Sequence, residues 1–410
     1  YGNPTLSLKC VGITGTNGKS TTAILARAVL ETAGIHSGLL GTIYNYDGQI
    51  CSPSNLTTPD PENLLLLTQD MVANKCEALV MEVSSHAIDQ KRTSFINFLV
   101  AALTNIGRDH LDYHKSFEDY KETKKTFFKS LEPDAFAVIN VDDEFSDEFI
   151  ECANCSVVTY GLHHGDISCT IHSMTIKGST ISIRFPEGTS VPVITTLPGI
   201  HNIYNLLCAA ATGYAFGIDP DSIAAGLGSI GSIPGRLQRI DLSQKFDVFV
   251  DYAHTPDALQ NVLSFLRPHC KGRILTVFGA GGDRDRGKRP VMGKAVQTHS
   301  DFSIVTSDNP RSEEPLKIIR DIEEGMSNKS TYAVIPDRRE AIRTAIEFAR
   351  EGDVVLIAGK GHETYQIIKD NLINFSDAEE AFVALKRRIL REGYHVERHL
   401  HSKNSCREAV

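Results

Sequence analysis

The stretch Lys9-Cys10-Val11-Gly12-Ile13-Thr14-Gly15-Thr16-Asn17-Gly18-Lys19-Ser20-Thr21-Thr22 limits the possible folds more than any other part of the chain. A short apolar run of strand length leads into two glycines flanking Thr16-Asn17. Lys19, a hydroxyl and the apolar run from Ala23 to Leu30, which suits a buried helix, follow. Glycines let backbone N–H groups turn inward, and a helix N-terminus adds positive potential where phosphate oxygens sit. In this reading Gly15, Thr16, Asn17, Gly18, Lys19, Ser20 and Thr21 cradle a nucleotide, with Lys19 on the β- and γ-phosphates and Ser20 on Mg²⁺. The spacing departs from the standard G-x-x-x-x-G-K-[ST], because Ile13 stands where the first glycine is expected. A plain glycine-rich turn explains the glycines but not the Lys-Ser pair that opens the helix.

Such a loop belongs to α/β architecture, and 410 residues suffice for two or three domains. Strand-like runs at residues 10–14, 78–81, 98–103 and 135–140 alternate with helical patterns at 20–33, 62–73 and 116–131, which predicts a mostly parallel sheet with crossover helices. Residues 155–197 change to short alternating runs, read as a small antiparallel patch, before a helix over 202–216. Ile233-Pro234-Gly235 marks a boundary between a first domain, 1–235, and a second, 236–410. The second repeats the alternation, with strands at 248–251, 274–278, 302–306, 333–335 and 354–358, and reads as a doubly wound, Rossmann-like sheet. Residues 391–410 are polar and without periodicity, a tail that need not fold.

The net charge of −9, from 42 Lys and Arg against 51 Asp and Glu, argues against a general nucleic-acid or membrane-surface binder, which needs a basic field. No apolar run approaches the ~18–20 residues of a membrane span. Nine scattered cysteines, an odd number, fit a reducing cytoplasm, and Cys152-Ala-Asn-Cys155 lacks the second pair a zinc site needs. The chain opens at Tyr1, directly before the first strand and without a basic, apolar leader, which suggests that an upstream segment has been removed.

In both domains polar clusters follow the carboxyl ends of the expected strands, where open α/β sheets place their ligands. In the first these are the phosphate loop, Glu82-Val83-Ser84-Ser85-His86, and residues 105–110. Glu82 and His110 are candidates to complete a divalent-cation site near Ser20. In the second they are Asp251-Tyr252-Ala253-His254, Gly281-Gly282-Asp283-Arg284, Asp308-Asn309-Pro310-Arg311 and Gly359-Lys360-Gly361-His362-Glu363. Each cluster alone is equally well a cap or a turn. Together they predict two facing clefts, one for ATP and one for a small polar substrate carrying carboxylate and ammonium groups.

These clusters, with Asp109-His110-Leu111-Asp112-Tyr113-His114 and Thr255-Pro256, resemble the motifs of the Mur ligase family in the family's order. Within it the chain is most similar to enzymes that add meso-diaminopimelate to UDP-N-acetylmuramoyl-L-alanyl-D-glutamate in cytoplasmic peptidoglycan synthesis. The resemblance implies an ATP-dependent, ADP-forming ligase working through an acyl phosphate, with ATP and Mg²⁺ bound. It also implies three domains, of which only the central and C-terminal ones match this chain. It implies that Thr57, Thr58, Ser84, Gln90 and Arg92 contact the muramyl dipeptide, and that Asn202, Arg236 and Asp251 meet the nucleotide. Arg284, Asp308, Asn309, Pro310, Arg311, Gly359 and Glu363 are then the amino-acid pocket. The expected partners are these small substrates, with neither nucleic acid nor membrane, and the expected state is a monomer. A lysine-adding relative and folylpolyglutamate synthetase are the alternatives.

Lys124 stands out first by pattern. Ser116, with Asp119 three residues on, marks a helix N-cap, and Phe117, Tyr120, Phe127, Phe128 and Leu131 form an apolar stripe on which Lys124 falls. Such a lysine either snorkels its ammonium to water or is held out of water as a neutral amine. A neutral amine can take up CO₂ as a carbamate, an anionic oxygen ligand for a second Mg²⁺. The resemblance places Lys124 on the lysine that is carbamylated in Mur ligases, and so adds it to Ser20, Glu82 and His110 as a metal-site residue and to Lys19 and His110 as a catalytic one.

Overall fold

Buried parallel strands with crossover helices organise both halves of the protein. The computed structural model describes residues 2–110 and 113–391. They form two units divided between Gly231 and Ser232. Gly235, in the stretch read as a boundary, lies inside the second unit, where a Cβ on it would sit 2.0 Å from His362 N.

In chain order the first unit carries β1 (Lys9–Thr14), α1 (Lys19–Thr32), β2 (Ser37–Leu40), β3 (Tyr44–Tyr46), β4 (Cys51–Pro53), α2 (Pro61–Ala73), β5 (Ala78–Glu82) and α3 (Ser85–Asp89). It continues with β6 (Phe98–Leu103), α4 (Phe117–Lys129), β7 (Phe136–Asn140), α5 (Ser146–Cys152), β8 (Ser156–Tyr160), β9 (Ser168–Thr175), β10 (Gly178–Arg184), β11 (Ser190–Thr195), α6 (Ile200–Ala215) and α7 (Pro220–Ser229). An eight-stranded sheet runs β4-β3-β2-β5-β1-β6-β7-β8, antiparallel only at β3 and β4. The phosphate-loop strand β1 is central, paired in parallel with β5 and β6. Alternate residues of these strands serve both faces, which is why they read as continuous apolar runs. Cys10, Met81, Leu103 and Ile139 pack with Met71 of α2, Phe127 and Phe128 of α4 and Phe149 of α5, while α1, α6 and α7 pack against one another on the opposite face. Ser116 caps α4 as its sequence implied, Oγ accepting from Asp119 N at 3.1 Å.

The antiparallel patch is smaller than expected. Only β9, β10 and β11 form it, while β8, within the stretch assigned to it, pairs in parallel with β7 as the last strand of the main sheet. Alternation cannot distinguish an antiparallel strand from an edge strand of a parallel sheet, since both have one covered face.

The second unit carries β12 (Gln238–Arg239), β13 (Asp247–Asp251), α8 (Pro256–Leu266), β14 (Ile274–Phe278), α9 (Lys288–His299), β15 (Phe302–Val305), α10 (Pro315–Glu323), β16 (Tyr332–Val334), α11 (Arg338–Phe348), β17 (Val354–Ala358), β18 (Tyr365–Ile368), β19 (Asn371–Asn374) and α12 (Asp377–Arg391). Its six-stranded sheet runs β12-β13-β17-β14-β15-β16, with only the edge strand β12 antiparallel, and β18 and β19 form a separate hairpin. The tail read at 391–410 lies, beyond Arg391, outside the described residues.

Candidate active site

The phosphate loop is built by close backbone approach. Gly15 and Gly18 take φ of 143° and 85°, and a Cβ on them would lie 1.9 Å from Thr104 Oγ1 and 2.2 Å from Asn205 Oδ1. The end of β6 holds the loop in place. Asn105 O accepts from Thr16 N at 2.8 Å, Asn105 Oδ1 from Asn17 N at 3.0 Å, and Thr104 Oγ1 donates to Asn17 O at 2.6 Å. Helix α1 starts at Lys19 with no side-chain cap, so its first-turn N–H groups, near buried Thr21, are available to an anion. Lys19 Nζ donates to Gly15 O at 2.9 Å and Thr16 O at 2.8 Å, which holds its charge over the same loop. The cradle fits a polyphosphate.

Glu82, at the end of β5, is 2% exposed and accepts from Ser20 Oγ at 3.0 Å and Thr42 N at 2.7 Å. A hydroxyl and a carboxylate paired beside a phosphate cradle are hard oxygen donors of the kind Mg²⁺ takes. Thr42 carries the chain of contacts onward, its Oγ1 lying 3.1 Å from Thr57 Oγ1. Thr58 Oγ1 donates to Glu82 O at 2.8 Å and accepts from Ser84 N at 3.0 Å. Arg92 Nη1 donates to Thr58 O at 2.8 Å and Arg92 Nε to Gln90 Oε1 at 2.8 Å. The five residues assigned to the muramyl dipeptide thus form one connected surface beside Glu82. Thr42, which the sequence did not single out, is its link.

Lys124 is 1% exposed, with Nζ 3.1 Å from both Thr14 Oγ1 and Gly15 O and 4.9 Å from the Tyr120 ring centroid. This geometry excludes a snorkelling lysine. Burial, then the nearby charge of Lys19, push its pKa well below the usual lysine value, with Asp109 opposing, which is the direction that carbamate formation on a neutral amine needs. Tyr120 OH lies 2.9 Å from Thr16 Oγ1 and ties α4 to the loop. His110, at φ 52°, stands in a ring group, 4.9 Å from His86 and 6.4 Å from Tyr120 by centroids, with Nε2 3.5 Å from Asp109. Leu111 and Asp112 of its motif lie outside the described residues.

Asn202 is 3% exposed; its Nδ2 donates to Pro198 O at 2.7 Å and its Oδ1 accepts from Asn205 Nδ2 at 3.1 Å. Asn205 in turn accepts from Thr22 Oγ1 at 3.3 Å and lies against Gly18. Asn202 therefore supports the loop from behind through Asn205, a residue the sequence reading missed although it stands one helical turn further on.

In the second unit Asp251 accepts from Leu237 N at 2.7 Å and Ala253 N at 2.8 Å, while the Arg236 guanidinium stacks 5.0 Å from the Tyr252 ring. The loops after β14, β15 and β17 converge. Gly282 N donates to Asn309 O at 2.9 Å, and a Cβ on Gly282 would meet Pro310 O at 1.9 Å. Arg311, at φ 50°, donates through Nη1 to Gly282 O at 2.9 Å. A left-handed arginine is strained, and such strain concentrates at functional positions. Asp283, at φ 53°, faces it across the two loops and accepts from Ser312 Oγ at 2.6 Å. Asn309 Nδ2 donates to Glu363 Oε2 at 2.8 Å, and Gly359, at φ 122°, leaves room for Asp308, whose Oδ2 would be 2.7 Å from a Cβ there. Arg284 is exposed at the rim. The sequence reading missed Arg289, fully buried and paired with Glu313 at 2.7 Å and Asp321 at 2.8 Å, and Arg338, fully buried and paired with Asp377 at 2.7 Å. These pairs brace the loops from below. An arginine in a polar stretch gives no periodic sign of its burial.

Residues 13–213 match the Mur ligase middle domain and residues 235–361 the Mur ligase, glutamate ligase domain. The UDP-N-acetylmuramoyl-L-alanyl-D-glutamate--2,6-diaminopimelate ligase of Syntrophomonas wolfei is 42% identical over 397 residues, covering 95% of this chain and 80% of that protein. Its namesake in Geobacillus thermodenitrificans is 44% identical over 396 residues, covering 95% of this chain and 81% of that protein. A solved structure bearing the same enzyme name is 34% identical with a TM-score of 0.67, covering 93% of this chain and 79% of that one. Folylpolyglutamate synthase of Mycobacterium tuberculosis, 20% identical with a TM-score of 0.70 over 87% of this chain and 89% of that one, shares the fold. On these matches the chain belongs to the Mur ligase family.

Proposed function

We propose that this chain is an ATP-dependent amide ligase that joins meso-2,6-diaminopimelate to the D-glutamyl carboxylate of UDP-N-acetylmuramoyl-L-alanyl-D-glutamate in cytoplasmic peptidoglycan precursor synthesis. The observation that carries it is similarity above 40% to diaminopimelate ligases, over nearly the whole of a chain whose two units each hold a polar site at their strand ends. Among the described residues no helix is long and apolar enough to cross a membrane.

Each group has a role that its surroundings support. The first-turn N–H groups of α1 and Lys19 bind the β- and γ-phosphates and neutralise the transferring phosphoryl group. Ser20 and Glu82 hold Mg²⁺, which when bound supplies charge neutralisation at the phosphates. His110 and a carbamate on Lys124 are the further ligands in this reading, and the burial of an amine whose pKa is pushed well down is what supports the latter. Thr57, Thr58, Ser84, Gln90 and Arg92 position the glutamyl carboxylate, so that little beyond orientation and electrostatics is asked of the protein. The ammonium groups of the amino acid are met by Asp308 and Glu363, with Asn309 beside them, Gly359 giving backbone room and Arg284 at the entrance. The distal carboxylate, which lysine lacks, is taken by Arg311 on the turn stiffened by Pro310.

ADP release in the presence of the UDP-muramyl dipeptide tests the reading: it depends on meso-diaminopimelate and proceeds poorly with lysine. Arg311→Ala lowers the preference for diaminopimelate over lysine by about 30-fold or more, since a charge-assisted pair in a desolvated pocket is worth on the order of 2–5 kcal/mol. Equal use of the two amino acids by the unaltered enzyme, or release that ignores both, rejects it.

A further inference from the structure

Lys360 has no role in the chemistry above, yet it is 0% exposed and lies inside the amino-acid pocket. Its Nζ donates to Glu363 Oε2 at 2.7 Å and to Asn309 Oδ1 at 3.0 Å, and it lies 5.6 Å from the Tyr365 ring centroid. Asn309 closes the triangle, donating from Nδ2 to the same Oε2 at 2.8 Å, while Ile367 N donates to its Oδ1 at 3.0 Å and fixes the amide orientation. Both hydrogen bonds to Glu363 therefore fall on Oε2, and none among the described residues falls on Oε1. A carboxylate clamped through one oxygen has its plane and its other oxygen fixed, and the Glu363 side chain is 17% exposed, so Oε1 is the atom left to meet a ligand. A buried ammonium is costly to keep and needs such partners.

We propose that Lys360 is a positioning residue for amino-acid recognition. By holding Glu363 Oε2 together with Asn309, it presents Oε1 to the ammonium group of the incoming amino acid. The inference rests on the reading of this pocket as the amino-acid site. Lys360 itself touches no reacting atom. Its loss acts on capture of the amine and leaves nucleotide binding alone.

The test is steady-state kinetics of Lys360→Met against the unaltered enzyme. The KM for meso-diaminopimelate rises by about 10- to 100-fold, the loss expected for a hydrogen bond to a charged group. The KM for ATP and the kcat at saturating amino acid stay within about threefold. In a Glu363→Gln background the same substitution adds no further change, because the two side chains act as one unit. An unchanged diaminopimelate KM, a fall in kcat with all KM values moved alike, or full additivity with Glu363→Gln overturns the proposal. If Lys360→Met does not fold, the double variant Lys360→Met/Glu363→Gln is read by its melt. A cooperative transition supports the pairing, since removing both charges removes the unpaired one, and failure of both variants to fold makes Lys360 a core residue and overturns it. An unaltered enzyme that ligates no amino acid rejects the functional reading; one that does, with Lys360→Met indistinguishable from it, rejects only this inference.

Discussion

Lys124 is charged at high cost and neutral at little, because its burial and the adjacent Lys19 both oppose a second cation. Its folded pKa lies well below the 10.5 of the unfolded chain, so between the two values the unfolded state binds more protons. Stability contributed at this position is therefore lowest below the folded value and rises as pH climbs from there toward 10.5. Lys124→Met removes that slope: in CO₂-depleted buffer its advantage over the unaltered protein is largest at the acid end and shrinks as pH climbs toward 10.5. The same site under CO₂ is the one predicted to carry a carbamate. Lys124→Ala accordingly loses about 100-fold or more in ligation, and short carboxylic acids restore part of it. Denaturation curves with equal pH slopes, or a fully active Lys124→Ala, sink this account. The residue was legible because it interrupts an apolar stripe. Lys360 and Arg289 were not, since they sit in polar stretches where a buried cation and a solvated one have the same neighbours in sequence.

At the scale of elements, two of the three loops that converge at the strand ends of the second unit depend on one buried ion network. Arg289 of α9 pairs with Glu313 and Asp321, and Glu313 Oε1 also accepts from Asp283 N at 2.7 Å, so the loops after β14 and β15 share an anchor. The Arg289 guanidinium, outweighing the burial that opposes it and joined by the backbone bond from Asp283, lowers the Glu313 carboxyl from 4.5 to about 2. A depressed carboxyl contributes stability that is complete above pH 4.5 and lost as pH falls to about 2, on the order of 3 kcal/mol at neutral pH. Glu313→Gln therefore lowers the stability of the second unit at pH 7, and the gap to the unaltered protein closes as the pH falls from 4.5 to about 2. Acid titration of the unfolding free energy of both proteins measures it, and a gap that persists unchanged through that window refutes it. The helix carrying Arg289 escaped sequence reading because it opens Lys288-Arg289-Pro290 and contains Gly293, against whose missing Cβ Ile322 O would lie at 2.3 Å. The strands β2, β3 and β4 escaped because runs of three or four residues are too short for a period to show.

Across the whole molecule the class of fold was legible where strands are buried on both faces, because β5, β6, β14 and β17 are apolar almost throughout. Strand order was not. Nothing in the local pattern of residues 354–358 says that β17 inserts between β13 and β14; the long crossover through α11 decides it. The two units also have separate cores. One is built on Met81, Leu103, Phe128 and Phe149, and the other on Val250, Val277, Ile342 and Leu385. Ile342 of α11 is fully buried in the second, so Ile342→Ala opens a cavity and costs about 2–5 kcal/mol. If each core is its own cooperative unit, that loss stays local: hydrogen exchange of the full chain shows faster opening of β13, β14, β17 and α11, while β1, β5 and β6 keep their protection. The phosphate loop, which belongs to the first unit, exchanges as before. An equal loss of protection in both sheets would mean that the molecule unfolds as a single block and that its two ligand sites share one stability.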